Sequence, residues 1–344
     1  MNKGLVIFAT ICVVASWGFG VLAMLVQDVL GPWTIVVLIP LGAVPLIAAY
    51  IGHRVTGAPG NPFKGLVWGS TGMIFGMWLL GILAGGLAAI LSIGLGLQQF
   101  DLSMESFIQM TVAQSAAQGR PIPEDAQSFI KISGWTQVIT SPLIGAWIGA
   151  AISCLSLFPW LGWFGRRVLV RGKATTLLIL IGLFLISGLP LGLMENPQLG
   201  EMGIPLRLLL MAVTGFAGVP LALWLFLSTR SVVIPSIAVA SINAAAAGTM
   251  PLLTEGNMLF TPPSGLLVQL IVIGVGIALW VWKDPGGEDL AIAAVAYDGT
   301  PLTPAMVEQL QAEEAAQRSG VQAPAGEEPE PPAPPDTGGV ADNG

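Results

Sequence analysis

The sequence contains little charge. Only 10% of its 344 residues are Asp, Glu, Lys or Arg, whereas 54% are hydrophobic and the mean hydropathy is +0.78. Soluble domains carry about 25% charged residues, so this composition excludes a water-soluble globule. The two parts of the chain differ in the sign of their charge. Residues 1–283 contain 12 Lys and Arg and 8 Asp and Glu, whereas residues 284–344 contain 1 Arg and 12 Asp and Glu. No basic stripe is present to neutralise phosphates, so no nucleic-acid partner is expected.

Cysteine and histidine are almost absent. Cys12 and Cys154 lie inside apolar runs, where a cysteine behaves as a small hydrophobic residue, and they do not indicate a disulfide framework. The single histidine, His53, cannot build a multi-histidine zinc site, and we expect it in a solvated loop beside Arg54. The sequence therefore predicts neither a bound metal nor a cofactor.

Long apolar runs are what the sequence has in abundance. A membrane-spanning helix needs about 20 mostly apolar residues. We identify eight such segments, none of which contains Asp, Glu, Lys or Arg: 5–26, 32–51, 66–97, 136–158, 174–194, 208–228, 232–253 and 264–282. The sequence predicts an all-α, polytopic membrane protein of about eight transmembrane helices.

The orientation follows from the positions of Lys and Arg. With the N-terminus in the cytoplasm, ten of these residues fall on the cytoplasmic side and three on the other, in agreement with the positive-inside rule. An even number of spans returns the C-terminus to the same side. We therefore predict an integral protein of the bacterial cytoplasmic membrane, in contact with its lipids, with both termini cytoplasmic.

The chain is predicted to consist of a membrane domain, 1–283, and a cytoplasmic tail, 284–344. The tail is acidic and Pro-rich, which is typical of a disordered segment, but Thr303 and Pro304 predict the start of a short helix over 304–318. This helix is either solvated or a docking site for a cytoplasmic partner. In the loop at 98–132, a helix capped by Asp101 and a second short helix from Glu124 are expected before the fourth span.

Glycines four residues apart mark two of the predicted spans. Small residues at this spacing let helices approach closely in lipid. We expect the following glycines to pack helices together, within the chain or in a homodimer: Gly65, Gly69, Gly72, Gly76, Gly81, Gly85, Gly145 and Gly149.

The stretch from about 150 to 247 carries motifs of a known family. Residues 218–244 look like a helix, an Arg-Ser turn and a second helix that contains Asn243, and residues 159–165 include a Gly-Trp-x-Gly run. This stretch resembles the CPBP family, the CAAX-protease and bacteriocin-processing group of intramembrane metalloproteases. The resemblance implies a helical bundle in which glutamate and histidine activate a water molecule for peptide hydrolysis.

The residues that would carry this chemistry are replaced. Where the family has its two glutamates and an arginine, this chain has Pro159, Trp160 and Phe164, and the histidine positions hold Gly188 and Val239. None of these side chains can bind a metal or accept a proton from water. The resemblance therefore implies a family member without catalytic residues, and whether the chain is an enzyme stays open.

Two neutral polar residues remain at the former site. Ser236 and Asn243 are seven residues apart on one helix face. They either hydrogen-bond neighbouring helices or form a vestigial pocket that binds a peptide, a helix or a lipid without cutting it.

The favoured function is a scaffold, assembly or regulatory subunit for other membrane proteins. An active CAAX-type protease with substitute residues and a small-molecule or lipid transporter are the alternatives.

Overall fold

The computed structural model describes a helical bundle. The described residues are 3–30, 39–56, 63, 66–117, 121–190, 203–254, 256, 260, 265–286 and 308. Among them no β-strand occurs, only two isolated bridges. The chain divides into two units, Met1–Pro301 and Leu302–Gly344, and of the second only Glu308 is described. The predicted helix at 304–318, most of the acidic tail, and Gly65 lie outside the described residues.

Helices make up most of the described residues of the first unit. The main ones are α1 (Lys3–Leu30), α2 (Val44–Val55), α3 (Thr71–Gly94), α4 (Glu105–Ala117), α5 (Gln127–Thr140), α6 (Ala146–Pro159), α7 (Lys173–Gly188), α8 (Ile204–Ala217), α9 (Val219–Thr229), α10 (Val233–Thr249) and α11 (Leu266–Trp282).

In the part of the chain that the structure describes, five continuous helical segments are long and apolar enough to cross a membrane: Lys3–Val26, Thr71–Gly94, Glu124–Arg171, Ile204–Thr229 and Val233–Leu252. They confirm the predicted all-helical class and fit a membrane-embedded protein. The other three predicted segments overlap α2, α7 and α11, which have 12, 16 and 17 residues. Each of these helices is shorter than the sequence segment that predicted it.

The region before the fourth predicted span differs from the expectation. Instead of a separate surface helix from Glu124, the chain forms one helical run of 48 residues, Glu124–Arg171. The prolines do not break it, because π-helical turns at Ser141–Gly145 and Trp160–Gly165 accommodate them. The Asp101 cap was predicted correctly: its carboxylate accepts a hydrogen bond from the Ser106 N–H at 3.2 Å, and α4 begins at Glu105.

Helix α10 lies at the centre of the bundle. Its residues Ile234, Ala238, Ile242 and Ala246, spaced four apart, pack against Ala88 of α3 and against apolar side chains of α9 and α11. Ile237 and Ala240 face Ala150 of α6. One helix is thus covered on several sides, which explains its small and apolar composition.

The glycines of α3 separate into two groups. A Cβ at Gly81 would lie 2.9 Å from the Ala238 carbonyl oxygen, and one at Gly85 would lie 2.7 Å from the Ala245 Cβ. These two glycines therefore hold α3 directly against the α10 backbone. Gly72 and Gly76 have nothing within 4 Å of a Cβ.

The remaining glycines, Gly69, Gly145 and Gly149, differ in how strongly their surroundings require glycine. Gly69 has a φ of +87° just before α3 and lies against Ile234. A Cβ at Gly149 would meet the Ala240 Cβ at 3.4 Å, an ordinary contact, and one at Gly145 would meet only its own helical turn at Ser141.

Hydrogen bonds join described connecting residues at two ends of the bundle. At one end the Val67 N–H donates to the Arg230 carbonyl at 3.2 Å, and Gly162 contacts Leu66 and Val232. We call this the basic end, because Arg166, Arg167 and Arg230 lie there. At the other end the Asp101 N–H donates to the Leu252 carbonyl at 2.8 Å.

Candidate functional site

The π-helical turn Trp160–Gly165 occupies the place where the resemblance puts catalytic carboxylates. Every residue in this turn is buried. The Trp160 ring lies 4.8 Å from Phe8 of α1 and 4.9 Å from Phe184 of α7, and Phe8 also stacks on Phe164 at 5.0 Å. An aromatic cluster between α1, α6 and α7 therefore fills this position.

Gly188 is closed by backbone packing. A Cβ at Gly188 would lie 2.8 Å from the Met211 carbonyl oxygen and 3.3 Å from the Gly215 Cα. Gly215 is equally constrained, since its Cβ would lie 2.8 Å from the Phe184 carbonyl oxygen. Helices α7 and α8 thus cross at Gly188 and Gly215, where their backbones are in contact. A larger side chain at Gly188 would separate the two helices.

The helix face predicted to hold a pocket is divided among three environments. Ser236 is fully buried and donates to the Val232 carbonyl at 2.8 Å. Val239 packs against Gly218, with a closest distance of 3.5 Å to the place of a Gly218 Cβ. Asn243, one turn further, is exposed.

A partly open cavity of about 200 Å³ lies beside Val239, between α6, α7, α8, α9 and α10. Neither Ser236 nor Asn243 lines it, because the first points back to its own helix and the second lies beyond the cavity. The lining residues are Ser153, Ser156, Leu157, Leu161, Phe184, Thr214, Gly215, Gly218, Val219, Ala222 and Val239.

The cavity wall is electrically neutral. Its lining contains no Asp, Glu, His, Lys or Arg, and its polar groups are the hydroxyls of Ser153, Ser156 and Thr214. In the described part of the chain, no three His, Cys, Asp or Glu side chains come together as a metal site would require. The cavity is therefore suited to binding an uncharged, mostly apolar molecule.

His53 differs from the expectation of a solvated loop residue. It belongs to the last turn of α2 and is only 5% exposed. The neighbouring Gly52 admits the Trp163 ring, which would lie 2.6 Å from a Cβ at this position. This contact draws the end of α2 into the bundle and buries His53.

Arg166 and Arg167 are buried as well, each 3% exposed. Arg167 donates to the Trp163 carbonyl at 3.0 Å, and its guanidinium lies 4.6 Å from the centre of the Trp163 ring. This cation–π contact packs the charged end of the long helix onto its own aromatic turn. The arginines follow that turn in sequence, but spacing alone does not predict their burial.

Comparison with protein-family models, with curated proteins and with solved structures finds no match to this chain. The resemblance to the CPBP family therefore stays a prediction based on the motifs. The three cavity hydroxyls were not singled out in the sequence, although Ser153 and Ser156 share a helix face at a spacing of three.

Proposed function

We propose that this chain is a non-hydrolytic, CPBP-protease-like integral membrane protein that holds other membrane proteins as a scaffold, assembly or regulatory subunit. The observation that carries the proposal is the packing at Gly188, where the Met211 carbonyl leaves no space for a catalytic side chain. The aromatic cluster around Trp160 supports the same conclusion, because a carboxylate there would be surrounded by rings.

The proposed orientation has eight spans with both termini in the cytoplasm of a bacterial cell. Segments predicted to be cytoplasmic, before α3 and between α9 and α10, meet at the basic end through the hydrogen bond from the Ser231 hydroxyl to the Trp68 carbonyl, 2.8 Å long. Lys173 and Asp284, which both lie in segments predicted to be cytoplasmic, form an ion pair of 2.7 Å. Both contacts support the predicted grouping of loops.

Two surfaces are proposed to receive partners. The first is the side of α3 that carries Gly72 and Gly76, where nothing of the described chain lies within 4 Å of a Cβ and another helix can approach closely. The second is the acidic tail, with its predicted helix at 304–318 as a docking site for a cytoplasmic partner. Membrane lipids cover the remaining apolar surface.

Recovery of partners from native membranes tests this function. The full chain and a variant that ends after Gly286 are purified in mild detergent, and the copurifying proteins are quantified by mass spectrometry. We expect intact integral membrane proteins at near-equal amounts with the full chain. The truncated variant should keep these and lose cytoplasmic-side partners. Cleavage of a hydrophobic peptide, solute uptake by the protein alone, or an absence of partners contradicts the proposal.

A further inference from the structure

Three residues with hydroxyl groups line the neutral cavity. Ser153 and Ser156 stand on α6, and Thr214 stands across from them on α8, where it is exposed. Between them the wall is formed by aliphatic side chains, glycines and Phe184. Polar groups are thus few, and they point into a space that is otherwise apolar.

These three hydroxyl groups lack a hydrogen bond that other hydroxyl groups in the helices make. Thr176, Thr229 and Ser236 each donate to the carbonyl one turn earlier, at 2.9, 2.6 and 2.8 Å. Such bonds satisfy a hydroxyl inside a membrane helix. Within the described residues, Ser153, Ser156 and Thr214 make no hydrogen bond of this kind, so their donors remain available to a ligand.

In the proposed membrane orientation, the cavity lies at the depth of the hydrocarbon core. Ser156 is ten residues before Arg166, which places it about 15 Å from the basic end along the helix. Val239 lies six residues into α10, about 9 Å along its axis. In that orientation a molecule reaches this space from the lipid phase, where water is a poor competitor for hydroxyl groups.

The size limits what can enter. A cavity of about 150 Å³ holds one benzene molecule, so this one, at about 200 Å³, takes a ring or a short chain segment. Three hydroxyl donors match carbonyl acceptors. The absence of ionisable groups from the lining disfavours a carboxylate or phosphate, whose burial without a countercharge is costly.

We propose that this cavity binds a neutral lipid with a carbonyl head group, whose oxygen accepts hydrogen bonds from Ser156 and Thr214 and whose apolar chain leaves through the open side. Ester and quinone carbonyls share this chemistry. The binding does not depend on the proposed scaffold function, since a chain with no protein partner would still contain the cavity.

Photolabelling of the purified full chain tests the binding. One probe is a 16-carbon fatty acid methyl ester with a mid-chain diazirine, and the matched probe is the corresponding hydrocarbon. Peptides from α6 and α8 should be labelled more by the ester than by the hydrocarbon. Each hydrogen bond should raise this ratio on the order of fivefold, because a hydrogen bond contributes about 1 kcal/mol. Unlabelled diacylglycerol and a short-chain benzoquinone, used as competitors, distinguish the ester source from the quinone source.

Variants connect the labelling to the cavity. The double variant Ser156→Ala/Thr214→Val should remove the preference for the ester, and Val239→Phe should reduce labelling by both probes by filling the cavity. Thr136→Val is the control, because its exposed hydroxyl bonds to the Ile132 carbonyl away from the cavity. If a variant does not elute as a folded species, the proposal is judged by the unaltered chain alone, from the ratio of its labelling by the ester to its labelling by the hydrocarbon. Equal labelling by ester and hydrocarbon, or a preference that survives the double variant, overturns the proposal.

Discussion

Replacing Gly85 by leucine should remove most of the folded protein. The substituent would meet the Ile242 carbonyl oxygen and the Ala245 Cβ of α10. Both belong to the central helix, so α3 has to move away from the core that Ala88 and Ile242 share. Overpacking of this kind costs about 1–3 kcal/mol or more, and backbone atoms cannot move aside as a flexible side chain does.

The next residue provides the control for this variant. Gly86 has nothing within 4 Å of a Cβ, so Gly86→Leu adds the same side chain to an open side of the same helix. The yield of monodisperse protein by size-exclusion chromatography and the thermal unfolding midpoint measure both variants. Equal behaviour of Gly85→Leu and Gly86→Leu would show that α3 does not pack on α10 through this glycine.

A single methyl group at Gly188 should also destabilise the bundle, by about 1–3 kcal/mol. Its Cβ would lie 2.8 Å from the Met211 carbonyl oxygen, at the crossing of α7 and α8. Gly182 lies in the same helix with nothing within 4 Å of a Cβ. There the change to alanine should be neutral or stabilise by up to about 1 kcal/mol, since glycine is the poorer helix former. Unfolding of the two alanine variants in detergent compares them directly.

The same packing predicts the outcome of introducing the ionisable residues that the CPBP family carries in the motifs this chain resembles. Trp160→Glu, Gly188→His and Val239→His, combined in one chain, should yield unstable protein without zinc-dependent peptidase activity. The glutamate would replace the ring between Phe8 and Phe184, and the histidine at 188 would separate α7 from α8. A folded triple variant that binds zinc and cleaves peptides would mean that the site is open and that only its side chains were lost.

Hydropathy alone was enough to identify the long helices. In α1, α3 and α10 the apolar run coincides with the helix, because a chain in lipid must satisfy its backbone within the helix. It did not fix the helix ends: α2 begins at Val44, inside the segment 32–51, and continues to Val55, past the end of that segment. It also missed the joining of Glu124 to the fourth span, which depends on π-helical turns around the prolines.

The candidate site was predicted only in part. Val239 was placed at the site by its motif, and it does line the cavity. Ser236 and Asn243 share its helix face in sequence, yet one bonds back to Val232 and the other is exposed. Which hydroxyl faces the cavity depends on how α6 and α8 rotate against α10, and helix periodicity does not contain that information.

The membrane orientation of the bundle is tested most directly by labelling single cysteines from outside intact cells. In a chain without Cys12 and Cys154, single cysteines replace Gln109 on α4, Arg171 at the basic end and Glu308 in the tail; Gln109 and Arg171 are exposed. An impermeant maleimide should modify position 109 at once, and positions 171 and 308 only after permeabilisation. Labelling of position 171 in intact cells, or of 308 but not 171, would contradict the eight-span bundle with both termini in the cytoplasm.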